Sequence, residues 1–153
     1  MNMKFLASRD KKKLLEQLQK QFGIDELPFL LLETGNEKIR GFSGSMSRDE
    51  IYALSEMANI ELLGLYLFKE EHGGLRVGFD GSMVLGGMAT KNFIEIESED
   101  VEKWLNGMNL GIKRPNGIYI IKSKEGDYLG CAASDGTQLI NFVPKERRIR
   151  RGR

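Results

Sequence analysis

The stretch YIIKSKEGDYLGCAASDGTQLINFVPKERRI, residues 119–149, decides the fold of the second half of the chain. Runs of β-favouring residues at 118–122, 128–133 and 138–143 are separated by short segments rich in glycine and aspartate. The second of these segments contains Asp135-Gly136, a strong signal for a tight hairpin because glycine accepts the positive φ angles that such turns require. The spacing therefore predicts a meander of short antiparallel strands.

Two segments upstream of the meander complete the pattern of this half. Residues 93–96 predict a strand, and residues 83–85 are a second strand candidate. Ser98 is expected to cap a helix, since its hydroxyl can accept a hydrogen bond from a free amide of the first turn. The apolar stripe of that helix consists of Val101, Trp104, Leu105 and Met108. One helix among several short strands suits a small closed or nearly closed β-barrel.

Helices are also predicted at two places in the first half of the chain. The first carries an apolar stripe of Leu14, Leu15, Leu18 and Phe22, with lysines and glutamines on its other face. Gly23 follows the stripe and is expected to end this helix, because glycine adopts the left-handed cap conformation without steric cost. Ser47 and Glu50 match a capping box at the start of a second helix, which contains Ile51.

Strands account for most of the remaining first half. They are predicted over 28–33, 38–43, 62–69 and 75–79, the last two as a hairpin across a turn that contains His72. The order of helices and strand pairs indicates an antiparallel α+β arrangement and not the alternation of a parallel nucleotide-binding sheet. The glycine-rich residues 80–87 mark the best boundary, which divides the chain into domains 1–79 and 80–153.

Charge is distributed unevenly along the 153 residues, although the formal net charge is only +1. Residues 145–153 carry six basic side chains and one acidic side chain, so the chain before them has a net charge of −4. A basic terminus on a mildly acidic body is typical of a protein that binds a polyanion at one edge. The alternative is a solubilising tail without a partner.

Composition also argues against several classes of protein. Cys131 is the single cysteine, so neither an intramolecular disulfide nor a cysteine-based metal site is expected. His72 is the single histidine, so no second imidazole is available to share a metal. No apolar run approaches the ~20 residues that a membrane helix needs, and charged residues follow the first six positions at once. We therefore expect a cytoplasmic protein that has no cofactor, no metal and no contact with a membrane.

Three segments of the second half carry a family pattern: VLGGMATKNFIEI (84–96), VEKWLNGM (101–108) and the 119–149 stretch quoted above. Together they resemble the PUA domain, the RNA-binding module named for pseudouridine synthases and archaeosine transglycosylases. The last segment is similar to the extension of RNA cytosine-C5 methyltransferases of the Nop–Sun class, called Fmu in bacteria. Over residues 10–149 the chain resembles the small Fmu-family ribosome-biogenesis factors. The resemblance implies an α+β protein in which an N-terminal antiparallel α/β domain precedes a PUA-like β-barrel.

The same resemblance implies an accessory factor that binds structured RNA, ribosomal or transfer RNA, in ribosome biogenesis or RNA modification. Its partners would be that RNA, a ribosomal precursor or an RNA-modifying enzyme. Arginine suits such a site because a guanidinium group binds phosphate at two points, and each neutralised phosphate releases counterions. The candidate RNA-binding residues are Gly86, Gly87, Lys91, Lys113, Arg114, Lys145, Arg147 and Arg148, with Arg150 and Arg151 added from the basic terminus.

The basic end is expected to belong to the barrel and not to a free tail. Residues 143–149 would complete the last strand, with Pro144 ending its pairing because proline lacks an amide hydrogen. This strand would hold Lys145, Arg147 and Arg148 near Lys113 and Arg114 on one surface, whereas residues 150–153 would stay mobile. The outer face of the helix near Ser98 is acidic, so RNA is expected to approach from elsewhere.

Each candidate also has a plainer explanation. Arg147 and Arg148 can instead pair with acidic residues of the body and close the barrel. Gly86-Gly87 can be a simple bend between domains, since the spacing of a phosphate-binding glycine loop is absent. Trp104 is expected in the core, whereas Phe142 can lie in the core or stack on an unpaired base.

Catalysis is not expected. The methyltransferases that the chain resembles need a fold for their methyl donor and a nucleophilic cysteine, whereas Cys131 lies within a predicted strand. Two other functions stay open. The first is a protein-interaction adaptor whose N-terminal domain binds a partner enzyme, and the second is a stand-alone modifying enzyme.

Overall fold

The computed structural model describes residues 3–35, 37–42, 47–57, 65–71 and 74–149. The elements of the first half are β1 (Met3–Phe5), α1 (Ser8–Phe22), β2 (Leu30–Thr34), β3 (Lys38–Phe42), α2 (Arg48–Met57), β4 (Leu65–Glu71) and β5 (Gly74–Val77). The elements of the second half are α3 (Phe79–Leu85), β6 (Phe93–Ile96), α4 (Ser98–Leu105), β7 (Gly117–Ser123), β8 (Tyr128–Ser134) and β9 (Leu139–Asn141). Short 3-10 turns follow α3 at Gly86–Met88 and β9 at Lys145–Arg147.

The strands of the first half form one antiparallel sheet in the order β1-β2-β3-β4-β5. The predicted strands and the hairpin of β4 with β5 are confirmed, although residues 62–64 and His72 lie outside the described residues. The sequence prediction missed β1, whose three residues pair with β2 from Met3↔Thr34 to Phe5↔Leu32. A strand this short has no alternation of its own, so only its pairing identifies it.

The strands of the second half form a four-stranded sheet in the order β6-β7-β8-β9. The predicted meander is confirmed, because β7, β8 and β9 pair antiparallel. In contrast, β6 pairs with β7 in parallel, and the connection through α4 supplies the crossover that a parallel pair needs. Neither sheet closes on itself within the described ranges, so the expected closed barrel is not confirmed.

The predicted strand over 143–149 is wrong. Strand β9 ends at Asn141. The Asn141 side chain, and not a neighbouring strand, then forms the hydrogen bonds to the nearby backbone. Its Oδ1 accepts from the Val143 amide at 2.7 Å, and its Nδ2 donates to the Trp104 carbonyl at 2.7 Å. Such side-chain bonds to the backbone compete with a strand ladder, and Pro144 cannot donate to one. The chain therefore turns away from the sheet after β9.

Residues 79–85 are also helical where a strand and a loose boundary were predicted. The small residues of α3 allow it to approach β4 closely: a Cβ placed on Gly81 would lie 2.7 Å from the carbonyl oxygens of Tyr66 and Leu67. The Ser82 hydroxyl accepts a hydrogen bond from the Gly130 amide at 2.8 Å. The glycines of 80–87 predict a domain boundary, but Gly81 instead permits close packing. The domain division at residue 80 stays a prediction.

The predicted helix ends at α1 and α2 are confirmed. Gly23 adopts φ 69 and ψ 29, and its amide donates to the Gln19 carbonyl at 3.0 Å. At the start of α2 the Glu50 amide donates to the Ser47 hydroxyl at 3.2 Å, and the Ser47 amide donates to the Glu50 carboxylate at 3.3 Å. At α4, however, the cap position belongs to Glu97 and Ser98 is the first helical residue.

The hydrophobic core extends across both halves of the chain. One cluster combines residues from α1, the first sheet, α3 and the second sheet. Its members include Leu18, Phe22, Leu67, Phe68, Leu85, Ile120 and Cys131. A second cluster surrounds Trp104, which is fully buried as predicted and donates its indole N–H to the Leu129 carbonyl at 2.9 Å. None of the described helices is both long and apolar enough to span a membrane.

The C-terminal end of α1 docks on the segment before β6. The Phe22 carbonyl accepts from the Thr90 amide at 2.8 Å, and the Asn92 side-chain amide donates to the Gln21 carbonyl. The Gln21 side chain also pairs with both backbone groups of Leu75 in β5, at 2.8 and 2.9 Å. These bonds connect α1 to both sheets.

We predict that Gly23→Ala lowers the free energy of unfolding by about 2 kcal/mol or more. Alanine at φ 69 is strained by roughly 1–2 kcal/mol, and its Cβ would lie 1.8 Å from the Thr90 hydroxyl oxygen. Gly35→Ala is the matched control, since a Cβ there meets no atom within 4 Å. Urea denaturation of both variants would measure the difference, and equal stability would contradict the docking of α1 on Thr90.

Candidate functional site

The predicted basic residues before β7 are exposed. Lys113 and Arg114 lie on the segment that leads into the strand, and the Arg114 carbonyl accepts from the Ser134 hydroxyl at 2.7 Å. The Arg114 guanidinium donates to the Lys113 carbonyl at 2.9 Å, which leaves most of its N–H groups available to a ligand. Lys91 is exposed on the segment that docks on α1. These side chains are accessible to a polyanion.

The arginines after β9 are held by the body of the protein. Arg147 forms an ion pair with Asp80 of α3 at 2.7 Å. The Nε of Arg148 donates to the Val143 carbonyl at 3.0 Å, and its side chain packs over Gly107. The contact of Arg147 agrees with the plainer explanation of pairing with an acidic residue, whereas Arg148 contacts a backbone carbonyl instead. Lys145 is exposed and forms no salt bridge within the described residues, whereas Arg150 and Arg151 lie outside them.

Arg114 and Arg147 contact different ends of β8, and their predicted placement on one surface stays a prediction. Arg114 lies beside Ser134, the last residue of β8. Arg147 lies at α3, which contacts Gly130 near the start of the same strand. Because a strand rises about 3.3 Å per residue, these two places are roughly 13 Å apart along β8. The separation follows from the end of β9, which turns the terminal segment toward α3.

The two glycines of the predicted loop have different environments. Gly86 is buried, and a Cβ placed on it would lie 2.2 Å from Cδ1 of Tyr128. Its missing side chain is therefore explained by packing against the Tyr128 ring. Gly87 is exposed and has open space around its Cα. Of the two glycines, Gly87 is therefore the one whose backbone a ligand can approach.

A groove of about 890 Å³ opens between the first sheet and the segment after β9. We call it the inter-sheet groove. Its walls come from β3, β4, β5, α3 and the residues after β9. The lining residues are Glu37, Lys38, Tyr66, Lys69, Arg76, Phe79, Asp80, Phe142, Pro144, Glu146 and Arg147. Of these, Arg147 was a site candidate from the sequence, and Phe142 was a residue that could stack on a base.

A row of cations crosses the floor of the inter-sheet groove. Lys38 of β3 is directly opposite Lys69 of β4, and Lys69 is directly opposite Arg76 of β5. Directly opposite residues point to the same face of a sheet with their Cβ atoms about 5 Å apart. The three residues are far apart in sequence, so pattern analysis of single segments could not group them.

A β-bulge brings an aromatic ring to the same row. The pairing shifts between Ile39↔Phe68 and Arg40↔Tyr66, which makes Leu67 an extra residue in β4. Side chains three positions apart normally point to opposite faces, but the extra residue places Tyr66 on the face of Lys69. The Lys38 ammonium lies 5.2 Å from the centroid of the Tyr66 ring. Burial raises the pKa of Tyr66, an effect that the positive charge of Arg76 opposes.

Arg76 spans the inter-sheet groove. Its guanidinium forms an ion pair with Glu71 at 3.0 Å and lies 4.4 Å from the centroid of the Phe142 ring. Phe142 is half-buried, and its ring contacts a cation of the other sheet. One face of the ring is therefore occupied by protein, which limits base stacking to the other face.

The thiol of Cys131 is not accessible to a substrate or reagent in the folded protein. The thiol is buried on β8 and donates to the Val77 carbonyl at 3.1 Å. Burial raises the pKa of the Cys131 thiol to about 12, so it is protonated at neutral pH. Since the thiolate is the nucleophilic form, this cysteine lacks the activation that catalysis requires. No cluster of three or more potential metal ligands occurs in the part of the chain that the structure describes.

Comparison with known proteins identifies the fold. Residues 91–149 match the sequence model of the PUA domain of methyltransferase RsmF. The chain is also similar in structure to a conserved PUA domain protein from Thermoplasma acidophilum, with a TM-score of 0.61 and 14% sequence identity. The likeness covers 95% of this chain and 96% of that one. No curated protein matches the sequence. The chain is thus a mixed α+β protein in which residues 91–149 match a PUA domain model.

We predict that Gly86→Ala lowers the free energy of unfolding by about 1–3 kcal/mol, the usual effect of overpacking. Gly87→Ala should leave stability nearly unchanged, since no atom lies within 4 Å of its added Cβ. Thermal unfolding of this adjacent pair measures both effects under one set of conditions. If the two variants were equally stable, the Tyr128 ring would not be confined against Gly86.

We also predict that Cys131 resists alkylation in the native protein. At pH 8, with a pKa of about 12, almost no thiolate is present, and burial blocks the reagent. Iodoacetamide labelling followed by mass spectrometry should show slow modification of the folded protein and rapid modification in urea. Rapid labelling without denaturant would contradict the environment described for β8.

Proposed function

We propose that this protein is a cytoplasmic accessory factor that binds structured RNA, ribosomal or transfer RNA, without changing it covalently. The match of residues 91–149 to the PUA domain of an RNA methyltransferase carries this proposal. PUA domains are RNA-binding modules, and the similarity to Nop–Sun enzymes is confined to their appended binding part. We infer a role in ribosome biogenesis or RNA modification, in which the protein positions RNA for a partner enzyme.

The exposed cations of the matched region support this function. Lys91, Lys113, Arg114 and Lys145 are all exposed, and none has a salt bridge among the described residues. Cations that no carboxylate of the protein neutralises can neutralise phosphates and release counterions. We therefore assign the main RNA contact to these four residues and a lesser part to Arg147 and Arg148, which already bind the body.

An exposed aromatic ring lies near one of these residues, Lys91, along the chain. Phe93 of β6 is 46% exposed, two residues after Lys91. Unpaired bases stack on such rings in RNA-binding proteins, with phosphates held by cations nearby. Phe93 was not a site candidate from the sequence, because its strand pattern alone did not distinguish the covered face from the open one.

The environment of Cys131 favours binding over catalysis. Transfer of a methyl group to cytosine C5 by the enzymes that the chain resembles needs an accessible cysteine nucleophile. Here the single cysteine is buried, and its pKa of about 12 keeps it protonated. This observation supports a protein that presents RNA to another enzyme.

We predict that the double variant Lys113→Ala with Arg114→Ala weakens RNA binding and reduces its salt dependence. Each lost phosphate contact should lower the slope of log affinity against log salt by about 1. Filter binding with transfer RNA and with ribosomal RNA hairpins, over a series of salt concentrations, measures both quantities.

The control for that experiment is Lys12→Ala with Lys103→Ala, which removes two exposed charges from α1 and α4. Its affinity should match that of the unchanged protein. Failure of the unchanged protein to bind either RNA at low salt would overturn the proposed function. Equal affinity of all three proteins would exclude Lys113 and Arg114 from the contact.

A further inference from the structure

Three cations lie side by side in the inter-sheet groove, an arrangement whose charge repulsion lowers the stability of the folded sheet. Lys38, Lys69 and Arg76 are directly opposite one another on three neighbouring strands. Like charges in directly opposite positions destabilise a sheet. A row that opposes folding in this way is explained if an anion neutralises it when bound.

The ion pairs around the groove leave the two lysines uncompensated. Arg76 is paired with Glu71, and Asp80 is paired with Arg147. Neither Lys38 nor Lys69 forms a salt bridge in the described ranges. Glu37 and Glu146 also line the groove, so the positive charge is concentrated on the strand row and not on every wall.

The row is also held in place before any ligand arrives. The Tyr66 ring, brought to this face by the bulge in β4, lies 5.2 Å from the Lys38 ammonium. The Phe142 ring lies 4.4 Å from the Arg76 guanidinium. Aromatic contacts of this kind restrict long side chains and so reduce the entropy lost on binding.

We propose that the inter-sheet groove binds a backbone phosphate of the same RNA, with Lys38, Lys69 and Arg76 as its ligands. This inference rests on the proposed function, because it takes RNA as the ligand. The groove volume of about 890 Å³ is within the range of roughly 300–1,000 Å³ of small-ligand sites, so a phosphate with its nucleotide fits. RNA held at Lys113 and Arg114 would then extend across α3 to the first sheet.

The test is the double variant Lys38→Gln with Lys69→Gln. RNA affinity should fall on the order of tenfold at low salt, and the salt slope should decrease by about 1, since the phosphate contact of the groove is lost. The melting temperature should stay the same or rise, because removal of directly opposite like charges relieves repulsion. A merely structural role of the lysines would instead lower the melting temperature and leave the salt slope unchanged.

Two further variants serve as controls for this test. Lys38→Arg with Lys69→Arg keeps both charges and should retain RNA binding. Lys12→Gln with Lys103→Gln removes the same number of exposed charges elsewhere and should bind RNA normally. If the groove variant bound RNA as tightly as this control, the inference would be wrong, while the effect of Lys113 and Arg114 would still support the proposed function.

A last measurement separates RNA from a free phosphate ligand. Adenosine monophosphate at millimolar concentration supplies the phosphate without the polymer. Suppose that adenosine monophosphate bound the unchanged protein but not the Lys38→Gln, Lys69→Gln variant, and that both proteins bound RNA with the same affinity. The groove would then be a site for small phosphates, and the RNA assignment would be overturned. Loss of RNA affinity with the reduced salt slope supports the assignment.

Discussion

The close approach of α3 to both sheets is the constraint on which the rest of the structure depends. Gly81 brings the helix against the carbonyl groups of β4, where a Cβ would lie 2.7 Å from two oxygens. Ser82 then accepts the Gly130 amide of β8 at 2.8 Å, so one short helix contacts a strand of each sheet. Larger side chains at these positions would separate the sheets and divide the core cluster that they share.

The position of α3 determines where charge is available on the surface. Asp80 of this helix holds Arg147, and the chain after β9 packs beside it. Two arginines of the basic terminus, Arg147 and Arg148, therefore already bind other groups of the protein. In contrast, Lys38 and Lys69, which were not site candidates from the sequence, line an open groove. A cation binds an anion most strongly where the protein leaves its charge unpaired, and this depends on neighbours that are distant in sequence.

Local patterns predicted those elements whose physical cause is local. The stripe of Leu14, Leu18 and Phe22 predicted α1, and the hairpin signal at Asp135-Gly136 predicted the meander of β7, β8 and β9. The predictions failed where a distant partner decided the outcome. Strand β1 exists through its pairing with β2, and α3 replaces a predicted strand and loop because its glycine and serine pack against both sheets. Strand β9 stops early because the Asn141 side chain binds the end of α4.

The sequence by itself determined the α+β class, the antiparallel meander, the burial of Trp104 and the presence of two cations before β7. Each of these follows from periodicity, turn chemistry or hydrophobicity within a short window. Only the tertiary structure decided which charges are near one another. Lys38, Lys69 and Arg76 become neighbours through strand register, and Tyr66 joins them through one extra residue in β4. Register and bulges arise from the packing of the whole sheet, because a shift of one residue moves every side chain to the opposite face.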